Sequence, residues 1–179
     1  MFREPISELS AQLRNSAGAE LVEEWEATEH ETEQGRLRSR PLTTLWEQAM
    51  HRGDRVVASG SFGVCAGTVE YVGKDYAVVA ASDMTWDVRL RSASLVVRRS
   101  SQGGHTATGG SRTLRARLAE YEASGENVEV HTERTVTSGA IQVAASDHIL
   151  MQSDVVIGIP LDVIVAVSRP RRPVGENLQ

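Results

Sequence analysis

The sequence predicts a mainly β protein with helices: two tandem five-stranded small barrels, each preceded by a short helix, behind a long N-terminal helix. The first observation behind this is a repeated pattern of glycine-bearing strand, tight turn ending in Asp, and second apolar strand. It occurs at Gly67–Val79 and again at Gly139–Met151, 72 residues apart. The second observation is that the same offset pairs Leu42 with Leu114, Gly53 with Gly125, Val56 with Val128 and Val64 with Val136. Self-similarity over such a span marks duplicated structure. The third is apolar alternation within short runs separated by turn residues, the period of half-buried strands.

Residues 1–40 read as a helical lead-in. Ile6, Leu9, Leu13, Ala17, Leu21 and Trp25 recur at intervals of three and four, which makes one apolar helical face. That stripe packs either on the chain's own β structure or on a partner or second copy, so Ile6, Leu9, Leu13, Leu21 and Trp25 are the candidate partner face. Beyond Trp25 come glutamates and then Arg36, Arg38 and Arg40, an acid-first, base-last order that suits a helix dipole.

The first repeat spans 41–99. Pro41, or a capping box from Thr44 to Glu47, starts a helix that carries Leu42, Leu45, Trp46, Ala49 and Met50 on one face and stops at Gly53. Strands are expected at 55–58, 64–72, 76–81, 85–90 and 95–98. Gly67 should mark a bend or bulge in the second strand, and Asp75 should close the hairpin through its side chain. Residues 100–112, rich in Gly, Ser and Thr, read as a flexible linker without an anchor. The second repeat spans 113–168. It has a helix through Leu114, Leu118 and Tyr121, a stop at Gly125, and strands at 128–131, 136–143, 148–152, 155–159 and 164–168. After its hairpin the offset is expected to slip to about 69. Residues 169–179 are expected to be a disordered tail. The two barrels are expected to pack through paired strand edges or a shared apolar face, in a pseudo-twofold arrangement.

A short helix followed by five bent strands resembles the Sm-like (SH3-type) small barrel. The Gly67…Asp75 and Gly139…Asp147 runs resemble its first sequence motif, and Pro160-Leu161-x-x-Ile164 resembles the link into its last strand. The chain is also similar to an uncharacterised actinobacterial family with a Glu-rich N-terminal helix and a barrel reading G-T-x-x-x-V-G-x-D. The positions after the two aspartates are Tyr76-Ala77-Val78 and His148-Ile149-Leu150, apolar where the RNA-binding members carry base-contacting polar groups. The resemblance therefore implies the fold and not RNA binding.

The net charge is −5, which does not favour nucleic acid at the level of the whole molecule. Local arginine clusters are another matter. Arg89, Arg91, Arg98, Arg99, Arg169 and Arg171 are the candidate nucleic-acid contacts, with Tyr71, Tyr76 and Trp86 as candidate stacking partners. The five histidines show no metal-ligand spacing, and Cys65 is the one cysteine. No zinc set, disulfide, cofactor or metal is expected. Asp147 and His148 are neighbours, which on a strand would face opposite sides and make no acid–base pair. There is no phosphate-binding loop, dinucleotide fingerprint or nucleophile elbow. With no signal-peptide pattern and no apolar run near 18 residues, a cytoplasmic protein outside the membrane is expected. The expected function is a non-enzymatic interaction or assembly module with an unknown protein partner or itself. The alternative is an RNA- or DNA-binding protein that uses the arginine clusters.

Overall fold

The computed structural model describes residues 40–171 apart from 101, 102, 105–109 and 153, together with Gly35. The expected long N-terminal helix, the Ile6–Trp25 stripe and the tail beyond Arg171 lie outside the described residues. In the unit that begins at Leu42, the order is α1 (Leu42–Arg52), β1 (Arg55–Gly60), β2 (Gly63–Val72), β3 (Tyr76–Ala80), β4 (Met84–Arg89) and β5 (Ser94–Arg98). Then come α2 (Leu114–Ser124), β6 (Asn127–Thr132), β7 (Val136–Ala144), β8 (His148–Gln152), β9 (Val156–Pro160) and β10 (Ile164–Pro170). Short 3-10 turns, Leu90–Ser92 and Leu161–Val163, lead into β5 and β10.

The protein is β-rich with helices, as expected, but the strands do not form two barrels. They form one open antiparallel sheet in the order β5-β1-β2-β3-β4-β10-β6-β7-β8-β9. In each half the fifth strand crosses back to pair with the first. That leaves the fourth strand's outer edge open, and in the first half β10 of the second half takes it, with Ala166 opposite Val88 and Ser168 opposite Trp86. An edge filled from the neighbouring half has no need to close on its own fifth strand. The contact is also not twofold. A twofold would pair like with like, whereas here a fourth strand meets a fifth.

The pairing registers give the repeat in detail. Arg55 faces Thr68 as Asn127 faces Ala140, and Val57 faces Val96 as Glu129 faces Ser168, an offset of 72. Tyr76 faces Arg89 as His148 faces Pro160, so β9 matches β4 with an offset of 71 rather than 69. The turn before β9 is one residue shorter, and an irregularity between Ile164 and Ala166 restores the original offset.

Both helices stop at a glycine in the left-handed region, Gly53 at φ 67° and Gly125 at φ 63°, where a side chain would be strained. Thr113 caps α2 by accepting from the Ala116 N–H. Gly67 has a different role from the one expected. It pairs regularly with Val56, and the register irregularity falls between Val69 and Tyr71, repeated between Ile141 and Val143. The linker is anchored where it is described: the Ser100 N–H donates to Asp54, the Gly110 N–H to the Val72 carbonyl, and the Lys74 N–H to the Arg112 carbonyl. Arg169 and Pro170, expected in the tail, belong to β10.

Two cores result. One gathers Trp46, Met50, Val56, Val69, Val79 and Val88, and the other Leu114, Leu118, Val128, Ile141, Ile149 and Met151. β3 is buried on both faces and feeds each: Ala77 and Val79 point into the first core, Tyr76 and Val78 into the second.

Candidate functional site

Three places in the described unit collect chemistry. The first is the junction between the halves. Asp87 on β4 is fully buried. Its Oδ2 accepts from Arg117 Nε at 3.0 Å and from the Tyr121 hydroxyl at 2.6 Å, both on α2. Arg169 on β10 donates to the same hydroxyl. Burial raises the Asp87 carboxyl above its usual range, and Arg117 and Tyr121 oppose this without cancelling it. The Arg117 guanidinium is correspondingly held protonated, with Asp87 the largest stabilising influence on it. Asp75 also serves the junction. Its Oδ1 accepts from the Leu114 N–H at 2.7 Å, so its charge sits at the N-terminus of α2 instead of closing the hairpin.

The second place is a polar group inside the second half. Ser168 is fully buried, its hydroxyl donates to Glu129 at 3.1 Å, and it lies 2.9 Å from His131 Nε2. With the hydroxyl proton committed to Glu129, Ser168 accepts from Nε2–H, and His131 Nδ1 has no partner among the described residues. The Trp86 ring covers the imidazole at 5.0 Å. A serine beside a histidine suggests a nucleophile and its base, but a hydroxyl with no exposed surface offers nothing to a substrate. The group acts on stability. Burial holds the His131 imidazole below its usual range, with Glu129 pulling weakly the other way. Its contribution is therefore present above about pH 6.5, the ordinary histidine value. It is lost as pH falls through the lower native value. The melting temperature should drop on acidification below about pH 6.5, and His131→Gln should flatten that part of the curve. An identical slope in the variant would remove His131 as the cause.

The third place is the surface. The six candidate arginines do not form one track. Arg89 and Arg91 donate to the carbonyls of Leu161 and Asp162 and so tie the halves together. Arg169 is held by Tyr121 and by Glu126 at 3.7 Å. Arg171 donates to Glu70 and the Ala81 carbonyl. Of the six, only Arg98 and Arg99 are exposed with neither a carboxylate nor a carbonyl partner among the described residues, and they share a cleft with Arg171 and with Arg55, which the sequence does not single out. Of the stacking candidates, Tyr76 is buried and Tyr71 packs on it at 5.7 Å, while Trp86 lies between Phe62 and His131. Cys65 is buried, which pushes its thiol up to about 11 and keeps it from ionising.

His148 Nδ1 and Asp147 Oδ1 do meet, at 2.7 Å. Asp147 sits in the turn before β8, so strand alternation does not separate them, and the pair is at the surface. Among the described residues no group of His, Cys, Asp or Glu is placed to hold a metal ion, and no helix is long and apolar enough to cross a membrane.

The sheet also ends twice. Among the described residues β5 and β9 each have one unpaired edge, and four of the nine exposed valines lie there: Val96 and Val97 on β5, Val155 and Val156 at β9. No protein-family model matches the chain, and no curated protein matches it.

Proposed function

We propose that this protein is a non-enzymatic assembly module that binds a second copy of itself head to tail, the open edge of β9 adding to the open edge of β5. The observation that carries the proposal is the junction between the halves. It joins a fourth strand to a fifth, and the two unpaired edges of the unit are the remaining fourth and fifth strands. A contact between unlike surfaces always leaves one complementary pair unused, which closes into a ring or runs on as a filament. We read each half as an Sm-like unit fused edge to edge with the other.

Transferring the internal register by the repeat offsets places Ser94 opposite Ile159, Leu95 opposite Gly158, Val96 opposite Ile157, Val97 opposite Val156 and Arg98 opposite Val155. Pro160, which has no N–H, lies just outside this ladder. The surroundings agree. Leu114 on α2 is 0% exposed against the first half, while its counterpart Leu42 on α1 is 41% exposed. The polar group of the internal junction has apolar counterparts: Gly158 for Asp87, Leu45 for Arg117 and Val97 for Arg169. Asp147, the counterpart of Asp75, shares one carboxylate oxygen with His148 and offers the other to the Leu42 N–H of the next copy. A dry outer contact beside a polar inner one also disfavours swapping the two.

Light scattering tests this. The wild type should exceed the mass of one chain, and Val96→Lys or Val156→Lys, each placing a charge on one edge, should give monomers. Each variant keeps one good edge, so an equal mixture of the two should form a dimer of fixed mass. If a stripe at Ile6–Trp25 drives association instead, neither lysine changes the mass. A wild type that stays monomeric at all concentrations also refutes the proposal.

A further inference from the structure

We propose that the corner of the first half where β1 begins and β3 and β5 end, beside the middle of β2, is a binding cleft for a phosphate group. A cavity of about 680 Å³ opens there, with the guanidinium groups of Arg55, Arg98, Arg99 and Arg171 around it and no carboxylate among the described residues of its lining. Arg171 is engaged by Glu70. Arg55, Arg98 and Arg99 are exposed and have no carboxylate partner among the described residues.

Arg55 and Arg98 stand directly opposite one another in the β1–β5 pair. Like charges in that position destabilise a sheet. The second half builds the same corner with Asn127 in place of Arg55 and Pro170 in place of Arg98, so the fold does not require the two arginines. A repulsive pair that the fold can do without is accounted for by an anion held between them. The cleft floor suits this: Gly53, Ala66, Gly67, Ala80 and Ala81 project no more than a methyl group, and the Thr68 hydroxyl adds a neutral donor, while that of Ser82 donates to Asp83. Guanidinium groups match phosphate oxygens two at a time. No aromatic ring among the described residues lines the cleft, so the phosphate is recognised and not a base.

The charge of the whole chain does not oppose this. Residues 40–171 contain fourteen Arg and Lys against fourteen Asp and Glu, and the −5 comes entirely from residues 1–39. The local field at the cleft is therefore positive on a neutral unit. The phosphate belongs either to a small free phosphate compound or to the backbone of a nucleic-acid strand.

Calorimetry and thermal melting of the full chain at low ionic strength separate these, with pyrophosphate and a short oligothymidylate as the two probes. At least one probe should bind saturably and raise the melting temperature. Binding by Arg55→Asn/Arg98→Gln should be about a hundredfold weaker, about tenfold for each guanidinium removed. Without ligand this variant should melt no lower than wild type, because a repulsion has been removed. Arg55→Asn alone, which installs the residue of the second half, should bind about tenfold weaker and serves if the double variant does not fold. Pyrophosphate binding identifies a small phosphate ligand. Binding of the oligonucleotide alone, falling steeply with salt, identifies a strand backbone. Failure of both probes to bind wild type, or undiminished binding by the variants, overturns the proposal. Repeating the measurement on Val156→Lys, which leaves every cleft residue in place, keeps this result separate from the assembly question.

Discussion

Arg117→Met is expected to destabilise the Leu42–Gln179 unit by about 3–5 kcal/mol at neutral pH. Asp87 is fully buried, and Arg117 is the only cation in direct contact with its carboxylate among the described residues, at 3.0 Å. Removing the cation leaves a charge in a site that water does not reach, and the Tyr121 hydrogen bond alone does not offset its desolvation. The deficit should depend on pH with a definite sign. Burial already raises the native pKa of Asp87, and removing Arg117 raises it further. The native variant then takes up a proton that the unfolded chain does not, over the range above the ordinary aspartate value of about 3.9. Its stability therefore recovers as pH falls, and the gap to wild type is widest at neutral pH. Urea unfolding at several pH values checks this. The double variant Asp87→Leu/Arg117→Met should regain most of the loss, because an apolar pair of similar size carries no desolvation penalty. A loss below about 1 kcal/mol, or one independent of pH, would mean that water reaches the pair.

The elements are legible in the sequence because each depends on local chemistry. Gly53 and Gly125 stop helices by a backbone preference that a single residue determines, and the repeat locates the strands within a residue or two at most ends. Closure is not legible. Whether β4 meets its own fifth strand or that of the other half depends on two edges far apart in sequence, and both fifth strands read as short valine-bearing apolar runs. The role of Asp75 is hidden for a related reason. Aspartate in a turn usually satisfies its own loop, and the helix N-terminus that captures it here lies 39 residues further on.

The arginines show the same limit more sharply. Proximity in sequence joins Arg89 and Arg91 to Arg98 and Arg99, but the strand ends carry the first two to the carbonyls of the second half and leave the others at the cleft. Arg55 escapes notice because it stands outside those clusters. Its significance comes from facing Arg98 across two strands, a register that only the fold supplies. The exposed edge valines have a sequence signal, since Val96 and Val97 are matched by Ser168 and Arg169 in the covered strand.

Gly67→Ala is expected to be as damaging as a typical core truncation, and for a reason unrelated to glycine's backbone freedom. Gly67 lies in ordinary strand geometry, but a Cβ placed on it would fall 2.0 Å from the Ala80 carbonyl oxygen and 2.6 Å from its carbon. Those atoms belong to β3, which is buried on both faces, so the obstacle is backbone that has no room to retreat. To admit one methyl group, β2 and β3 must separate beside Thr68 and Ala80, which are paired. Overpacking of this kind costs about 3 kcal/mol or more when the neighbour is rigid. The variant should unfold at markedly lower urea with an unchanged slope. Gly158→Ala is the matched control in the other half: its new Cβ would meet only Leu150 Cδ2 at 3.6 Å, an ordinary contact. That change should leave the isolated unit's stability nearly untouched, within about 0.5 kcal/mol. If Gly67→Ala matched the control, the close approach of β2 and β3 would not be the reason this position is glycine.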